Sequence, residues 1–140
     1  MAKERVLRAP NMSRCIACYS CMLACSRFNY SSVAPQKAAL QIRTRGGLQS
    51  SLVADICAAC KVPDCAASCP TQAMSAKPGG GAVFDQGKCV KCHSCGAACP
   101  IGYIRFDRTS EYPIMCKHCS VCVKFCPHEC LEMEEVNANE

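Results

Sequence analysis

The chain has 140 residues, of which 17 are cysteine, with no tryptophan and only 4 phenylalanines. Large apolar side chains are too few to build a core alone, so this cysteine density indicates that metal or cross-links hold the fold together. The formal charge of +5 would suit a nucleic-acid ligand only if every cysteine were neutral. No run of 18 apolar residues occurs, which predicts no direct insertion into a membrane.

The first residues, 1–8, are charged and include no apolar stretch, so they do not resemble a secretory signal. We therefore predict a cytoplasmic chain, with export alongside a signal-bearing partner as the open alternative. A reducing cytoplasm disfavours structural disulfides, and an odd number of cysteines disfavours a closed set of them.

Short elements are predicted around the cysteines in chain order. Val6 and Leu7 suggest an edge strand, and helical turns should join the third and fourth cysteines of each cysteine group defined below. Three hairpins are predicted, pairing 40–44 with 48–53, 74–76 with 82–84, and 103–106 with 111–114. The tail 132–140 is acidic and is predicted to be solvated.

Sixteen of the cysteines form four groups, which we number one to four in chain order. Groups one, three and four have the spacing C-x2-C-x2-C-x3-C, whereas group two has four residues between its second and third cysteines. Proline follows the last cysteine of groups two to four, but Ser26 follows that of group one. The candidate ligands are Cys15, Cys18, Cys21 and Cys25 in group one; Cys57, Cys60, Cys65 and Cys69 in group two; Cys89, Cys92, Cys95 and Cys99 in group three; and Cys116, Cys119, Cys122 and Cys126 in group four.

This spacing is typical of [4Fe–4S] ligation in bacterial ferredoxins. The first three cysteines let a short loop wrap one corner of a cubane, with backbone N–H groups directed at its sulfurs. The fourth cysteine leaves the loop towards the other cluster of a pair, and the proline ends the local helical turn. Zinc sites usually join two C-x2-C pairs across a longer gap, so zinc and disulfide scaffolds are the weaker alternatives. We therefore predict four [4Fe–4S] clusters.

Bound clusters change the sign of the charge. An oxidised [4Fe–4S] core with four thiolates carries about −2, so four of them would shift +5 to about −3. Nucleic-acid binding then loses its support. Lysines beside the ligands either raise the potential of the nearest cluster or are screened by solvent, and the sequence favours neither. These lysines are Lys61, Lys88, Lys91, Lys117 and Lys124.

Other residues near the groups have simpler interpretations. Cys130 stands where two other repeats have Ala73 and Tyr103, so we predict a structural role for it. Every group already has four thiols, which favours hydrogen-bonding or exposed histidines over iron ligands. The three histidines are His93, His118 and His128. The glycine run 79–81 lacks the Lys-Ser/Thr of a phosphate-binding loop, and no catalytic triad or carboxylate pair is evident.

Group two, with Pro63 inside its longer gap, resembles the second cysteine group in iron–sulfur subunits of the dimethyl sulfoxide reductase type. The resemblance covers about 15–131, but the chain lacks long insertions and an extended C-terminal region. In size it is most similar to the small iron–sulfur subunit that accompanies tungsten enzymes of the aldehyde:ferredoxin oxidoreductase family, including related assemblies for benzoyl-CoA metabolism in anaerobes.

The resemblance implies an α+β, ferredoxin-like fold. We expect a single polyferredoxin domain over 1–140, built of two intertwined 2×[4Fe–4S] modules at about 12–32 plus 111–133 and about 53–107. The resemblance also implies crossed ligation, with four sets: Cys15, Cys18, Cys21 and Cys126 (set A); Cys116, Cys119, Cys122 and Cys25 (set B); Cys57, Cys60, Cys65 and Cys99 (set C); Cys89, Cys92, Cys95 and Cys69 (set D). Spacing alone leaves open a pairing of group one with two and of group three with four.

Four clusters without an evident active site indicate a non-catalytic electron-transfer subunit of an oxidoreductase complex. The resemblance implies that it relays electrons from a large tungsten- or molybdenum-pterin catalytic subunit to a flavoprotein, a soluble ferredoxin or another reductase, in an anaerobic host. The alternatives are a free polyferredoxin, a subunit of a formate dehydrogenase or hydrogenase complex, and a metal-stapled sensor or interaction protein.

Overall fold

The computed structural model describes residues 3–46 and 51–137. The elements are short and alternate between strands and helices, as expected for a chain whose loops are set by cysteine spacing. In chain order they are β1 (Lys3–Arg8), α1 (Ser20–Tyr30), β2 (Gln41–Thr44), β3 (Leu52–Asp55), α2 (Asp64–Ala67), β4 (Met74–Ala76), β5 (Ala82–Phe84), α3 (Ser94–Ala98), β6 (Arg105–Phe106), β7 (Pro113–Ile114), α4 (Val121–Phe125) and β8 (Glu132–Asn137), with single 3-10 turns at Met12–Arg14, Pro35–Lys37 and Gln86–Lys88.

The strands of the described ranges form four two-stranded sheets. The β4–β5 hairpin has the predicted bounds, pairing Met74 with Phe84. In the β2–β3 hairpin the second strand begins at Leu52, and the predicted start of this strand at 48 lies outside the described residues. The ladder extends instead to Asp55, whose carboxylate accepts a 2.6 Å hydrogen bond from Arg43 on the partner strand.

The third hairpin is shorter than predicted, with only Arg105–Phe106 paired to Pro113–Ile114. Tyr103 and Ile104 were expected in its first strand, but they are buried in a hydrophobic cluster. The Tyr103 amide donates to Cys99 Sγ at 3.4 Å, so it is not available for a ladder hydrogen bond at this end of the hairpin.

The segment 132–137 was predicted to be a solvated tail; its residues are exposed or half-buried, but they form strand β8, which pairs with β1. The acidic side chains face basic ones at the other end of the chain. Arg8 Nε lies 2.8 Å from Glu134 Oε2, and Arg5 lies 3.8 Å from Glu135. The predicted edge strand through Val6 and Leu7 is confirmed as part of β1.

The helices begin and end where the cysteine groups dictate. Each of α2, α3 and α4 stops before the proline that follows its fourth cysteine. Group one has Ser26 at that position, and α1 continues through it to Tyr30. The predicted helical turns are therefore confirmed, and α1 is longer than a turn.

Two compact units divide the chain. The first unit comprises Met1–Val6, Cys57–Lys117 and Glu135–Glu140, and the second comprises Leu7–Ile56 and His118–Glu134. In the first unit, several cysteines pack against a core of Met74, Ala82, Tyr103, Ile104 and Met115. Buried side chains of the second unit are Leu7, Met22, Leu40, Ile42 and Leu131. Within the described ranges, no helix combines the length and apolarity needed to cross a membrane.

Candidate metal centres

A left-handed residue shapes each cysteine loop. It stands two positions after the first cysteine of every group, with φ between 52° and 60°. In groups one, two and three its N–H lies 3.4–3.5 Å from the sulfur of that first cysteine. These residues are Ala17, Ala59, Lys91 and His118. The backbone turn thus directs an amide donor at a thiol, which is the arrangement that the loop spacing predicts.

A second repeated turn follows the cysteine–proline pairs. Residues three positions after the fourth cysteines of groups two to four, namely Gln72, Gly102 and Glu129, have φ of 54–63°. The next amide then points back at the cysteine. Tyr103 N lies 3.4 Å from Cys99 Sγ, and Cys130 N lies 3.3 Å from Cys126 Sγ. Burial alone would raise the pKa of Cys69, but hydrogen bonds from the Met74 amide and from Thr71 lower it below the ordinary value.

Two cavities in the first unit are lined by cysteines from two groups each. One, of about 370 Å³, is lined by Cys57, Cys60, Cys65 and Cys99. The other, of about 340 Å³, is lined by Cys69, Cys89, Cys92 and Cys95. Each cavity combines three thiols of one group with the fourth thiol of the other. The remaining walls are largely apolar and include Met115 in the first cavity and Phe106 in the second.

In the second unit, thiols of groups one and four lie within electrostatic range of each other. Burial raises the pKa of Cys21 to about 12, and the neighbouring Cys126 and Cys15 raise it as well. Cys25 and Cys119 share a neighbour, because the side-chain amide nitrogen of Asn29 lies 3.6 Å from one sulfur and 3.7 Å from the other. Cys25 Sγ also accepts a hydrogen bond from the Ala39 amide at 3.3 Å.

The thiols suit a polynuclear cluster in their arrangement. None of the 17 cysteines forms a disulfide, and eight of those in the first unit line the two cavities. Over 3–46 and 51–137, no three Cys, His, Asp or Glu side chains converge as closely as one metal ion would require. A cubane binds its thiolates at four separate irons, so ligands that border a cavity and receive backbone N–H donors fit it.

Cys130 is buried, with 3% of its surface exposed. Its thiol lies 4.0 Å from the carbonyl oxygen of His128, and burial raises its pKa to about 11. Its amide is the donor to Cys126 described above. Cys130 is therefore a buried residue next to the candidate ligand Cys126, and its structural role stays a prediction.

The histidines and lysines lie around the thiols. His118 is buried and its Nδ1 accepts a hydrogen bond from the Leu7 amide at 3.0 Å. His93 stacks on Phe106 with ring centroids 3.9 Å apart. The five lysines named above are all exposed, so solvent screens their charges.

Sequence reasoning missed the side chains that hydrogen-bond to the thiols. Hydrogen bonds from Ser20 and Ser94 lower the pKa values of Cys18 and Cys92. Both serines stand two positions after the second cysteine, and this repetition was a visible signal. Asn29 had none, because its two thiol partners come from opposite ends of the sequence.

No protein-family model matches the chain. The chain is 26% identical to the B subunit of anaerobic dimethyl sulfoxide reductase from Escherichia coli (strain K12), over 89% of this chain and 71% of the relative. It is 26% identical to the thiosulfate reductase electron transfer subunit of Salmonella typhi, over 91% of this chain and 74% of the relative. A ferredoxin-like protein of Escherichia coli (strain K12) is 31% identical over 63% of this chain and 49% of its own length.

Among solved structures, the fold is similar to a subunit of the active site complex BamBC of benzoyl coenzyme A reductase. The TM-score is 0.53 with 22% identity, over 96% of this chain and 82% of the other. This likeness supports a small α+β fold of ferredoxin-like type.

The chain is therefore similar to ferredoxin-like proteins and to electron-transfer subunits of reductases, which confirms the prediction of an electron-transfer subunit. Within that class, the resemblance drawn from group two is confirmed, since a subunit of anaerobic dimethyl sulfoxide reductase matches most of this chain.

Proposed function

We propose that the chain relays electrons through four [4Fe–4S] clusters in a complex with a larger pterin-containing catalytic subunit. The observation that carries the proposal is the pair of cavities in the first unit, each lined by four cysteines from two cysteine groups with no disulfide between them. The names of the relatives support a reductase complex as the setting.

The proposed ligands are the sixteen cysteines of the four groups, paired in the crossed sets A to D. The cavity linings support sets C and D. The electrostatic proximity of Cys21 and Cys126 supports set A. The contacts of Asn29 with Cys25 and Cys119 support set B. We also propose the two modules expected from the sequence, one at about 12–32 plus 111–133 with groups one and four and one at about 53–107 with groups two and three.

When bound, a [4Fe–4S] cluster takes up and releases a single electron. The chain's own part is to hold the thiols, to direct backbone N–H groups at them and to limit water. Amide donors stabilise negative charge on sulfur, which favours electron uptake. Apolar walls such as Met115 and Phe106 lower the local dielectric and oppose it. The two cavities differ in their lining residues, so the reduction potentials of the clusters that they would hold should differ as well.

The proposed partners follow from the relatives and the chemistry. Electrons would enter from a molybdenum- or tungsten-pterin subunit and leave to a flavoprotein, a soluble ferredoxin or another reductase, or flow in the reverse direction. Seventeen cysteines without a disulfide suit a reducing compartment, so we propose a cytoplasmic location in an anaerobic host.

The test is anaerobic purification of the native protein with its partners, followed by metal and sulfide analysis. We expect about sixteen irons per chain after subtraction of any iron on other subunits, and molybdenum or tungsten on a large co-purifying subunit. Sixteen irons on a chain without partners would favour a free polyferredoxin instead. About four zinc ions with little iron would contradict the proposal.

A further inference from the structure

Asn29 connects two candidate ligands that belong to different cysteine groups. It lies in α1, one helical turn after Cys25. Its side-chain nitrogen is 3.6 Å from Cys25 Sγ and 3.7 Å from Cys119 Sγ. The same nitrogen lies 3.3 Å from the carbonyl oxygen of Cys25, which accepts but cannot donate, so the NH2 end of the amide faces the thiols. The two protons of the NH2 group face three acceptors: one proton is shared between the Cys25 carbonyl oxygen and Cys25 Sγ, and the other is directed at Cys119 Sγ.

Groups one and three each have a serine side chain close to their second cysteine, and group four does not. In groups one and three, the residue two positions after the second cysteine is a serine that begins the following helix, Ser20 or Ser94. The side chains of these serines are hydrogen-bond partners of Cys18 and Cys92. In group four the residue at this position is Val121, which also begins a helix but has no hydroxyl. Cys119 therefore receives its side-chain donor from Asn29 instead.

The length of α1 makes this contact possible. Group one has no proline after Cys25, so the helix continues and places Asn29 four positions further on. In groups two to four the chain has already left the helix at the matching position. The donor for group four thus depends on the one group that lacks the proline.

We propose that Asn29 is a positioning residue that supplies the missing donor to Cys119 and raises the reduction potential of the cluster bound by Cys25 and Cys119. N–H···S hydrogen bonds stabilise the added negative charge of the reduced state, so their removal lowers the potential. This inference rests on the proposed function, since it requires a cluster at these thiols.

The experiment is a potentiometric titration of the full chain in its native complex, followed by electron paramagnetic resonance. Asn29→Ala keeps good helix propensity and removes the donor. We expect one midpoint potential to shift to a more negative value while the others stay unchanged. Adding Val121→Ser to this variant restores a donor in the position used in groups one and three, and should move the potential back. Asn137→Ala is the matched control, because Asn137 is exposed at the end of β8 and should not change a potential.

Iron analysis of each sample separates the possible failures. A native protein without iron would contradict the proposed function itself. Full iron content with no shift in Asn29→Ala, equal shifts of all potentials, or no recovery with Val121→Ser would overturn the inference about Asn29. If Asn29→Ala loses iron, Asn29→Asp provides the test with a side chain of equal size. Its carboxylate should lower the same potential further, and an unchanged potential would overturn the inference.

Discussion

Groups one and two both depart from the sequence pattern shared by groups three and four, but at different positions. Group one has the regular spacing and lacks the proline after Cys25, so its helix runs on to Tyr30. Group two keeps the proline and has a longer gap after Cys60. The chain compensates each departure with contacts from elsewhere in the same unit.

In group one, the backbone amide that would donate to the fourth cysteine is replaced by a side chain in α1 and by a backbone amide further along the chain. Groups three and four use the amide four residues after that cysteine. Cys25 instead receives the Ala39 amide at 3.3 Å and the Asn29 side chain at 3.6 Å. The fourth thiol therefore keeps hydrogen-bond donors although the turn that normally provides one is absent.

In group two, the β4–β5 turn supports the longer loop. Tyr19, His93 and Ser120 are left-handed just after the second cysteine of the other groups, whereas group two has no left-handed residue there. The Cys60 carbonyl oxygen instead accepts a 3.0 Å hydrogen bond from the Gly81 amide. A departure in spacing is thus met by backbone contact from a neighbouring hairpin.

The largest expected effect is the loss of one cluster in Cys69→Ala. If group two sends its fourth cysteine to set D, this variant should retain three reducible clusters of four. Cys130→Ala, which removes a buried thiol outside the proposed ligands, should retain all four. Reductive titration with dithionite counts the clusters.

A second substitution tests the pairing itself. Cys69→Ala with Cys89→Ala should lose no more clusters than Cys69→Ala alone, because both cysteines belong to set D. Cys69→Ala with Cys57→Ala should lose two clusters. Loss of two clusters in Cys69→Ala with Cys89→Ala, or of only one cluster in Cys69→Ala with Cys57→Ala, would contradict the crossed pairing.

Ser26→Pro should strongly destabilise group one. Ser26 is completely buried in the interior of α1, where proline removes a hydrogen bond and costs about 3 kcal/mol. We expect the melting temperature of the holoprotein to fall by roughly 10 °C at a fixed scan rate. Ser26→Ala, which removes only the hydrogen bond to the Leu23 carbonyl oxygen, should cost about 1 kcal/mol. Equal melting temperatures of the two variants would show that the continued helix is not required.

Gly80→Ala should weaken group two to a smaller extent. A Cβ on Gly80 would lie 2.4 Å from the Ala59 carbonyl oxygen, and its φ is +114°. The expected cost is about 2 kcal/mol, with faster release of iron to a chelator. Gly102→Ala is the control, since φ is +63° there and nothing lies within 4 Å of the new Cβ, so about 1 kcal/mol is expected. Similar release rates would mean that the close approach does not hold the loop.

Lys91→Gln should have the smallest effect. The Lys91 ammonium is exposed and lies 4.8 Å from the centroid of the Tyr112 ring, so water and salt screen it from the thiols. We expect at most a small shift of one potential that disappears at high ionic strength. A shift that persists in about 1 M salt would favour lysine tuning of the cluster.

Sequence patterns predicted the features that depend on local chemistry. The hairpin of Met74–Ala76 with Ala82–Phe84 followed from the glycine-rich turn between them. The helix ends followed from proline, and the absence of proline after Cys25 left α1 free to continue. The ferredoxin-like class followed from cysteine spacing, because that spacing has few other uses.

Features that depend on distant partners could not be predicted in the same way. The sequence 132–137 alone predicts a solvated tail. It does not show that Arg5 and Arg8 lie opposite the glutamates of this segment in the folded chain. Asn29 is an ordinary helix residue until Cys119 lies beside it. In both cases the decisive contact joins residues from distant parts of the sequence, and neither part has a pattern that identifies the other.

The left-handed position in each cysteine loop limits how the repeats can be recognised by comparison. It is occupied by alanine in two groups, by lysine in the third and by histidine in the fourth: Ala17, Ala59, Lys91 and His118. What the four groups share there is the handedness of a single backbone step, which an L-residue adopts at a cost of about 1 kcal/mol. The residue types at this position therefore differ between groups although the backbone conformation is the same. In distantly related chains of this kind, the dihedral angles at this position should be better conserved than the amino acid.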